Sequence, residues 1–441
     1  MADAKAIRRS ASVAQNRKAN VVIVSATYGT TNQLLELIDI ALAGNENKRD
    51  QLFNDLYNRH LSIAQALELS DEDSNQVHEL LLEIKALAKG ITLLGDYSFR
   101  AKDNLLSHGE RLSSIFMQKA LSQCLDQEVL LVDARKIIAT NNHYGSASPM
   151  IEKTAKQAEQ HLVPLLKSGK VIVSQGFIGL SEEGYTSTLG RGGSDYSASL
   201  FAEAIGAKLV EIWTDVAGIA STDPRLCNNA KPLKEITYKE ACELATFGAK
   251  VLHPTSLWPA MRKNIPVYVG SSMEPEKQGT KIVLEAQDKP LVRAIALRRK
   301  QSLLTITTPR MVNTHGFLQN VFRVFAEHEI SVDLVTTSEI SVAITMNESS
   351  AINESLLQAL SEIGEVEQEK DLALISLVGT RISNTAGLSK EIFTQLADIN
   401  VRMICQGASA SNICFLIEEN HAEDAVKMLH RRFLESEFAN S

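Results

Sequence analysis

The chain has 441 residues, of which 44% are hydrophobic and 22% charged, so it is long enough for two or three globular domains that each bury a core. Its formal net charge is −8 and its Lys and Arg residues form no basic run, which excludes the electrostatic footprint of a nucleic-acid-binding protein. Five scattered cysteines without a Cys-x-x-Cys pair argue against a zinc site and a disulfide framework. The first residues do not form a signal peptide, and no apolar stretch approaches the roughly 20 residues of a membrane-spanning helix. We therefore expect a cytoplasmic protein without a nucleic-acid or membrane partner.

The predicted elements of the first two-thirds of the chain alternate between helix and strand. Residues 1–18 have helical spacing, the apolar run Val21–Val24 is typical of a buried strand, and 46–124 is almost wholly helical. Strand-like apolar runs return at 129–132, 170–174, 209–213 and 266–270. Because these strands are apolar throughout and alternate with helices, they predict an α/β fold whose mostly parallel sheet is covered on both faces.

The character of the sequence changes near residues 287–290, after which two similar segments follow one another. The stretches 315–322 and 330–335 are echoed by 386–393 and 399–404. An offset of roughly 70 residues between only two copies predicts a duplicated small α+β unit rather than a solenoid. We place the boundary between the two parts of the chain at 285–291.

A glycine-rich run, Thr188-Leu-Gly-Arg-Gly-Gly-Ser-Asp195, leads directly into a helical sequence. Glycines before a helix let the backbone approach a ligand, and the first N–H groups of the helix then face an anion. Arg191 adds a planar donor group that suits a carboxylate or a phosphate. A surface turn with a Ser or Asp cap is the alternative explanation. The spacing fits neither the dinucleotide fingerprint nor the Walker motif.

Six further motifs accompany this run along two-thirds of the chain. They are Val24-Ser-Ala26 with Thr31-Asn32, Ser107-His-Gly-Glu110, Gln175-Gly-Phe-Ile-Gly179, Trp213-Thr-Asp-Val216, Thr222-Asp-Pro-Arg225 and Ala245-Thr-Phe-Gly-Ala-Lys-Val-Leu-His-Pro254. Together and in this order, they resemble the aspartokinases, which have the amino-acid kinase fold. The resemblance implies a catalytic domain over residues 1–285 that transfers the γ-phosphoryl group of MgATP to the β-carboxylate of L-aspartate. In this family the reaction is the first step of lysine, threonine and methionine biosynthesis.

The same resemblance implies the residues of the site. Arg191 is expected to hold the carboxylate of aspartate that does not react, Glu110 to meet its ammonium group, and Asp195 to organise the cationic groups around the transferred phosphoryl. Arg191 and Asp195 are thus the catalytic candidates. The residues expected around aspartate are Ser25, Thr31, Glu110, Arg191, Gly192, Gly193 and Ser194. Those expected around ATP are Thr214, Asp215, Asp223, Arg225, Lys250 and Val251, with Mg²⁺ as cofactor and no metal ligand assigned to the protein. Without the resemblance, Glu110 would be interpreted as a solvated helix residue and Lys250 as a loop lysine.

The chain departs from the family pattern in two places. Aspartokinases open with a strand that ends in Lys-Phe-Gly-Gly-Thr-Ser, immediately before a helix resembling residues 2–18, and the sequence given begins at this helix. Since the lysine and the glycine pair of that strand bind the phosphates, we expect either that the protein begins upstream of Met1 or that the chain is a truncated form of poor activity. Ala217 and Ala220 stand where the family commonly has Pro and Tyr, so an aromatic contact to the nucleotide is in doubt.

Residues 291–441 resemble the paired ACT domains that follow aspartokinase catalytic domains. The resemblance implies ferredoxin-like units over 291–370 with 430–441 and over 371–429, and assembly into a homodimer or a dimer of dimers. The match is to the monofunctional, lysine-sensitive type, so lysine is the expected allosteric effector. The residues expected to surround lysine are Met311, Phe317, Leu318, Val332, Asp333, Ser338 and Glu339. The two acidic members suit a cation, while the apolar members are equally typical of a core.

Two other functions stay open on the sequence alone. A different amino-acid kinase, such as a glutamate kinase, would have the same fold, although the matches at Glu110, at Arg191 and in the ACT region weigh against it. A catalytically impaired or inert form could act as an amino-acid-binding sensor, and the missing first strand keeps this alternative open. An in-frame Lys-Phe-Gly-Gly-Thr-Ser upstream of Met1 would argue for the active enzyme.

Overall fold

The computed structural model describes residues 1–248, 252–347 and 352–435. These residues divide into two compact units. The first unit comprises residues 1–217 and 252–284, and the second comprises the described residues of 218–251 and 285–441. No helix within the described ranges is long and apolar enough to cross a membrane.

The first part of the chain is rich in long helices, several of which begin at a side-chain cap. Asp3, Ser70 and Ser98 each accept a hydrogen bond from a backbone N–H of the helix that follows, which satisfies a donor that the helix geometry leaves free. The elements in chain order are α1 (Ala4–Asn16), β1 (Val21–Val24), α2 (Thr30–Leu42), α3 (Glu46–Ala66), α4 (Asp71–Leu94), α5 (Phe99–Ser122), β2 (Val129–Leu131), β3 (Ala139–Thr140), α6 (Ile151–His161), α7 (Val163–Lys167), β4 (Val171–Gln175), β5 (Ile178–Ser181), β6 (Thr186–Thr188), α8 (Gly193–Ile205) and β7 (Val210–Thr214).

The second part of the chain is richer in strands. Its first helix begins with a capping box, in which Thr237 and Glu240 satisfy each other's backbone N–H groups. The elements in chain order are β8 (Glu235–Thr237), α9 (Tyr238–Thr246), α10 (Pro254–Arg262), β9 (Val267–Ser271), β10 (Thr280–Val283), β11 (Ala294–Thr307), α11 (Phe317–Glu327), β12 (Val335–Thr337), β13 (Ser341–Asn347), α12 (Glu354–Ser361), β14 (Glu365–Val378), α13 (Leu388–Gln395), β15 (Val401–Gln406), β16 (Asn412–Glu418) and α14 (Ala422–His430).

A parallel sheet in the order β1-β4-β2 lies at the centre of the first unit. Alternate residues of β4 pack on opposite faces of this sheet, as strand geometry requires. Val171 and Val173 pack with Leu112 of α5, whereas Ile172 packs with Leu200 of α8. The predicted α/β fold, with a parallel sheet covered on both faces, is therefore confirmed.

Two smaller sets of strands complete the first unit. Strands β7 and β9 are parallel and β10 is antiparallel to β9. Strand β5 pairs in parallel with β3 and in an antiparallel hairpin with β6. Because β6 ends at Thr188, the first residue of the glycine-rich run, this hairpin determines the position in space at which the run begins.

The second unit contains an antiparallel sheet in the order β12-β13-β11-β14-β16-β15. Strands β11 and β14 have 14 residues each and run through both halves of the sheet, with register shifts between Arg298 and Leu303. One half covers its core with α11 and α12, and the other half with α13 and α14. The predicted duplication of an α+β unit corresponds to these two halves.

The pairing of β11 with β14 determines which segments share a core. Residues 294–298 of β11 pair with 374–378 of β14, and Ile295 packs in the same core as Phe433 and Leu434. This core also contains Leu388 and Ile392 of the second repeat. The assignment of the chain after residue 430 to the first repeat stays a prediction. Residues 436–441 lie outside the described ranges.

Residues 218–248 group with the second unit through buried contacts. Arg293 and Glu240 of α9 form an ion pair with 2.9 Å between Nε and Oε1, and their side chains are 3% and 2% exposed. The backbone N–H of Ile295 donates to the carbonyl of Ser221 at 2.8 Å. The predicted extent of the catalytic domain, 1–285, describes a function rather than a packing unit and stays a prediction.

Candidate active site

Loops from different parts of the first unit meet at the carboxyl ends of β1 and β4. The N–H of Gly176, just after β4, donates to the carbonyl of Val24 at the end of β1, with 2.8 Å between the two atoms. The N–H of Phe177 donates to the carbonyl of Gly193 in the glycine-rich run at 3.3 Å. The carboxyl ends of parallel strands are where open α/β sheets bind ligands. The candidate aspartate residues that follow β1 therefore lie beside the glycine-rich run.

The glycine-rich run is packed so closely that side chains would not fit at its centre. Gly192 has a φ of 72°, and a Cβ there would lie 2.5 Å from the Cβ of His253. A Cβ on Gly193 would lie 2.6 Å from the ring of Phe177. Gly192 is also the N-cap of α8, so no capping side chain competes with an anion at this helix end. The close packing and the uncapped start of α8 are compatible with anion binding by the run, which stays a prediction.

The two catalytic candidates flank these glycines. Arg191 is exposed, which leaves its guanidinium accessible to a ligand. Burial lowers the pKa of His253, and the positive charge of Arg191 lowers it further, so the imidazole stays neutral near pH 7. Burial raises the pKa of Asp195, in the first turn of α8, to about 6. Asp195 is therefore mostly ionised at neutral pH and becomes protonated in mild acid.

Glu110 of α5 is buried beneath the loop that follows β1. Glu110 is only 3% exposed, so its alternative interpretation as a solvated helix residue is wrong. One oxygen, Oε1, accepts a hydrogen bond from the N–H of Ala26 at 3.1 Å, and the other, Oε2, is buried without a hydrogen-bond partner among the described residues. Burial raises the pKa of Glu110 to about 8. An unpartnered buried oxygen is costly, and a cationic group at this position would remove the cost.

The loop over Glu110 is held by residues that the sequence did not identify. Arg59 of α3 donates to the carbonyl of Tyr28 at 3.1 Å and to Oγ1 of Thr30 at 2.5 Å. His60 donates from Nδ1 to the carbonyl of Leu56, so its Nε2 accepts from Thr27 at 3.1 Å. The sequence gives only an indirect signal for Arg59 and His60. Their partners Thr30 and Thr27 lie within the motif that starts at Val24.

The other two aspartate candidates of this loop are less buried than Glu110. Ser25 is exposed, and its carbonyl accepts a hydrogen bond from Oγ of Ser113 at 2.7 Å. Thr31 is partly buried in the first turn of α2. Ser194, in the first turn of α8, is also partly buried. All of these aspartate candidates belong to the first unit.

The nucleotide candidates are divided between the units. Thr214 ends β7, and its carbonyl accepts hydrogen bonds from N and Oγ of Ser272, while its hydroxyl donates to the exposed carboxylate of Asp215 at 3.0 Å. Asp223 and Arg225 belong to the second unit. There Arg225 donates to both carboxylate oxygens of Asp223, at 2.6 to 3.1 Å. The remaining candidates, Lys250 and Val251, lie outside the described residues.

Protein groups alone do not form a metal centre in the described part of the chain, where no three His, Cys, Asp or Glu side chains come together as ligands. Mg²⁺ is commonly bound through one or two carboxylates and the phosphates of a nucleotide, with water completing its octahedron. The exposed carboxylate of Asp215 and the partly exposed one of Asp195 are compatible with an ion that arrives with its nucleotide.

The apolar effector candidates are divided between core and surface. Phe317 is 8% exposed and belongs to the core of the first repeat, against which Met311 and Val332 also pack. Leu318, the next residue in α11, is 37% exposed. Phe317 therefore has a structural role that does not depend on an effector.

The polar effector candidates lie on and beside β12 and β13. Asp333 forms an ion pair with Arg298, with 2.9 Å between Oδ2 and Nη2. Ser338 closes the turn between the two strands through hydrogen bonds with Ser341, and Glu339 is exposed in the same turn. One of the two acidic groups expected to meet lysine is thus already paired with a cation of the chain.

Comparison with known proteins extends these observations. Residues 1–271 match the amino acid kinase family and residues 375–433 match an ACT domain. The chain is 42% identical to lysine-sensitive aspartokinase 3 of Escherichia coli, over 99% of this chain and 97% of that protein. It is 34% identical to the chloroplastic aspartokinase 3 of Arabidopsis thaliana, over 95% of this chain and 76% of that protein.

Solved structures show the same relationship. The E. coli aspartokinase III complex with aspartate and ADP superposes with a TM-score of 0.86 at 42% identity, covering 99% of this chain and 97% of that one. The complex of the same enzyme with lysine and aspartate has a TM-score of 0.84 at 42% identity, covering 98% and 97%. Clostridium acetobutylicum aspartate kinase has a TM-score of 0.80 at 25% identity and covers 98% of both chains.

The parallel sheet, with the glycine-rich run at its carboxyl edge, defines the first unit as an amino acid kinase, and the chain also carries an ACT domain. Full-length identity to characterised relatives narrows this class further. The chain belongs to the aspartokinase family.

Proposed function

We propose that this chain is an aspartate kinase that converts L-aspartate and ATP into 4-phospho-L-aspartate and ADP, and that lysine inhibits it. The observation that carries the proposal is the buried carboxyl group of Glu110 under the loop after β1, whose Oε2 has no hydrogen-bond partner in the part of the chain that the structure describes. Such a group suits the ammonium of an amino acid. Relatives named aspartokinase, and the E. coli enzyme solved with aspartate and ADP, support the same substrates.

In this proposal the ammonium and the carboxylate on Cα of aspartate are each bound by a protein group of opposite charge. Glu110 binds the ammonium group, and Arg191 binds the carboxylate that does not react. The glycine-rich run contributes the backbone of Gly192 and Gly193 with the hydroxyl of Ser194. The loop after β1 contributes its two remaining candidates, Ser25 and Thr31.

The reaction needs alignment and charge neutralisation more than proton transfer. An oxygen of the β-carboxylate attacks the γ-phosphorus, the bond from that phosphorus to the β,γ-bridging oxygen breaks, and ADP leaves with the electron pair. A carboxylate nucleophile needs no general base, so the site requires no activated serine or cysteine. Asp195 orients the cationic groups around the phosphoryl. Mg²⁺ bound with the nucleotide neutralises phosphate charge.

Nucleotide binding is assigned to the candidate residues that do not contact aspartate. Thr214 and Asp215 at the end of β7 support this assignment in the first unit, because the ligands of open α/β sheets bind at carboxyl ends of strands. The other residues proposed to contact ATP are Asp223, Arg225, Lys250 and Val251.

Lysine inhibition is assigned to the first repeat of the second unit. The support is the acidic character of Asp333 and Glu339, which suits a cationic amino acid, and the E. coli relative solved with lysine. Ser338 and the apolar candidates Met311, Phe317, Leu318 and Val332 complete the proposed set. A homodimer or a dimer of dimers and a cytoplasmic location stay predictions.

A coupled assay of ADP release by the 441-residue chain tests the proposal. We expect ADP release that requires aspartate, is not supported by glutamate, and falls when lysine is added. The variant Glu110→Gln should raise the KM for aspartate at least tenfold, because the neutral amide loses the charge that attracts the ammonium. Turnover of glutamate in preference to aspartate would overturn the proposal. Thermal stabilisation by lysine without ADP release would instead identify an amino-acid sensor.

A further inference from the structure

A hydrogen-bonded network of Ser221, His430 and Glu435 joins two distant segments of the second unit. Nε2 of His430 lies 2.9 Å from Oγ of Ser221, and its Nδ1 lies 2.7 Å from Oε1 of Glu435. Ser221 is 2% exposed and His430 is 0% exposed. The proposed reaction uses none of these three residues, although the histidine and the serine are 209 positions apart in the sequence and meet only in the folded chain.

The chemistry of the three groups determines the direction of each hydrogen bond. The hydrogen bond with His430 lowers the pKa of Glu435, so this side chain is a carboxylate that only accepts, and Nδ1 of His430 donates to it. In the neutral imidazole the other nitrogen is an acceptor, and the hydroxyl of Ser221 donates to it. Oγ of Ser221 in turn accepts from the N–H of Lys231 at 2.9 Å. A satisfied polar network of this kind holds its members in one arrangement.

A serine, a histidine and a carboxylate in this order also form the catalytic triad of hydrolases. A nucleophilic serine must be accessible to a substrate, whereas Ser221 is buried. Its N–H donates to the carbonyl of Lys231 at 2.8 Å, and its carbonyl accepts from the N–H of Ile295 at 2.8 Å, so its backbone is also fully used. The burial of Ser221 and His430 excludes a hydrolytic role and indicates a supporting one.

The network holds one end of the loop that carries Asp223 and Arg225. These two side chains pair with each other, and that of Arg225 is 89% exposed, so their ion pair does not determine where the loop lies. Contacts on either side of them do. Ser221 is bound to His430, and Cys227 is 7% exposed and packs in the same core as α14.

Two further hydrogen bonds join the returning half of this loop to the same end of the chain. Nδ2 of Asn229 donates to Oε2 of Glu435 at 3.0 Å, and Nζ of Lys231 donates to the carbonyl of Leu434 at 3.2 Å. Glu435 therefore uses one carboxylate oxygen for His430 and the other for the loop itself. Residues 430–435 thus contact the loop at three points, which is the arrangement expected of an anchor.

We propose that His430 is a positioning residue for nucleotide binding, which holds the loop of Asp223 and Arg225 in place through the hydroxyl of Ser221. The inference rests on the proposed function, in which Asp223 and Arg225 contact ATP. An anchored loop has less conformational freedom to lose when its ligand binds, so the anchor raises affinity without touching the ligand. The residues proposed to contact aspartate belong to the first unit, so aspartate binding should not depend on this anchor.

The test measures the dissociation constants of ATP and of aspartate by calorimetry on the whole chain, together with the KM values for both. Ser221→Ala removes the hydroxyl that joins the loop to His430. We expect the dissociation constant and the KM of ATP to rise about 5- to 10-fold, as for the loss of one hydrogen bond, and those of aspartate to stay within about twofold.

Substitutions of the histidine separate its two hydrogen bonds. An asparagine amide can replace the Nδ1 donor of His430 but does not reach Ser221, so His430→Asn should weaken ATP binding as Ser221→Ala does. The longer side chain in His430→Gln brings its amide oxygen to the position of Nε2 and should recover part of the affinity for ATP.

The matched control is Ser376→Ala, which removes another buried hydroxyl of the second unit. Ser376 lies in β14, is 0% exposed and accepts from Sγ of Cys414 at 3.4 Å, without contact to the loop of Asp223. It should lower the melting temperature and leave the dissociation constant of ATP within about twofold.

The outcomes separate the inference from the proposed function. A wild-type chain that does not bind ATP overturns both, whereas one that binds ATP without phosphorylating aspartate overturns the proposed function alone. If Ser221→Ala and His430→Asn lower only the melting temperature, or weaken aspartate binding as much as ATP binding, the inference alone is overturned. If His430→Asn does not fold, an unchanged dissociation constant of ATP in Ser221→Ala is sufficient to overturn it.

Discussion

Arg298 of β11 forms an ion pair with Asp333, with 2.9 Å between Nη2 and Oδ2, and the two side chains are only 19% and 23% exposed. Arg298 also donates to the side chain of Asn347 on β13. Asp333 belongs to the set proposed to bind lysine. A lysine ammonium that approaches this carboxylate must therefore displace or share the guanidinium of the chain itself.

Replacing Arg298 with Ala should strengthen inhibition by lysine. The partly exposed pair is worth about 1 kcal/mol, so the lysine concentration for half inhibition should fall roughly 3- to 10-fold. Dose–response curves of ADP release measure this. The control is Arg299→Ala, since the neighbouring arginine pairs with Glu419 and Glu423 instead. Weaker inhibition in Arg298→Ala would show that the guanidinium orients Asp333 for lysine rather than competing with it.

Aspartate binding should depend on pH through Glu110. Burial holds the pKa of this carboxyl near 8 in the free protein, so it is mostly protonated at pH 7, whereas the ammonium of aspartate requires the carboxylate. Affinity should therefore rise about tenfold per pH unit between 6 and 8 and then level off, with release of close to one proton at pH 7. Calorimetry in two buffers of different ionisation enthalpy measures the released proton. In Glu110→Gln both the release and the pH dependence should disappear, whereas pH-independent binding by the wild type would contradict this account.

The substitution Gly192→Ala should abolish most activity. Alanine at a φ of 72° is strained, and its Cβ would lie 2.5 Å from that of His253, so either the run or His253 must move. We expect kcat/KM to fall on the order of 100-fold, the loss that a displacement of about 1 Å at a reacting site can cause. Gly44→Ala is the matched control, because Gly44 has a φ of 68° with open space around it. It should cost about 1 kcal/mol of stability without affecting kcat/KM, and equal effects of both substitutions on kcat/KM would contradict the prediction.

The buried pair of Arg293 and Glu240 should make single substitutions costly in the second unit. Arg293→Met leaves the Glu240 carboxylate buried without its cation, so unfolding free energy should fall by about 3–5 kcal/mol. The double variant with Glu240→Gln should recover part of this loss, because the uncompensated charge is gone. Urea denaturation measures both. Arg323→Ala breaks an exposed pair with Glu327 and should change stability by less than about 0.5 kcal/mol, and a comparable effect there would contradict the role of burial.

Local sequence patterns were sufficient for five strands of the first unit. The apolar runs that predict β1, β2, β4, β7 and β9 each correspond to a strand within one or two residues. Strand and helix periodicity involve neighbours in sequence, so they can be recognised without knowing what packs against them. The parallel arrangement followed from the same patterns, because strands that are apolar on both faces must be covered on both.

Contacts between distant residues could not be predicted in this way. Glu110 is buried because Ala26, 84 residues earlier, lies over it. The pairing within the second sheet could not be predicted either, because β11 and β14 pair with each other along their length while β13 flanks only one half of β11 and β16 only one half of β14. Similarly, the grouping of residues 218–248 with the second unit depends on a buried ion pair between residues 53 positions apart.

The glycine-rich run illustrates the difference between what local sequence patterns determine and what contacts between distant residues determine. By itself the sequence determined the strands β1, β2, β4, β7 and β9, the helical character of 46–124 and a glycine-rich turn that opens a helix, since each depends on local backbone preferences and periodicity. Only the tertiary structure decided that the carboxylate of Asp103 accepts a hydrogen bond from Thr188 at the start of this turn, that burial raises the pKa of Glu110 to about 8, and that Arg298 forms an ion pair with Asp333. The physical reason is that the energy of a charge depends on the donors, cations and solvent that folding brings around it, and most of these come from distant parts of the chain.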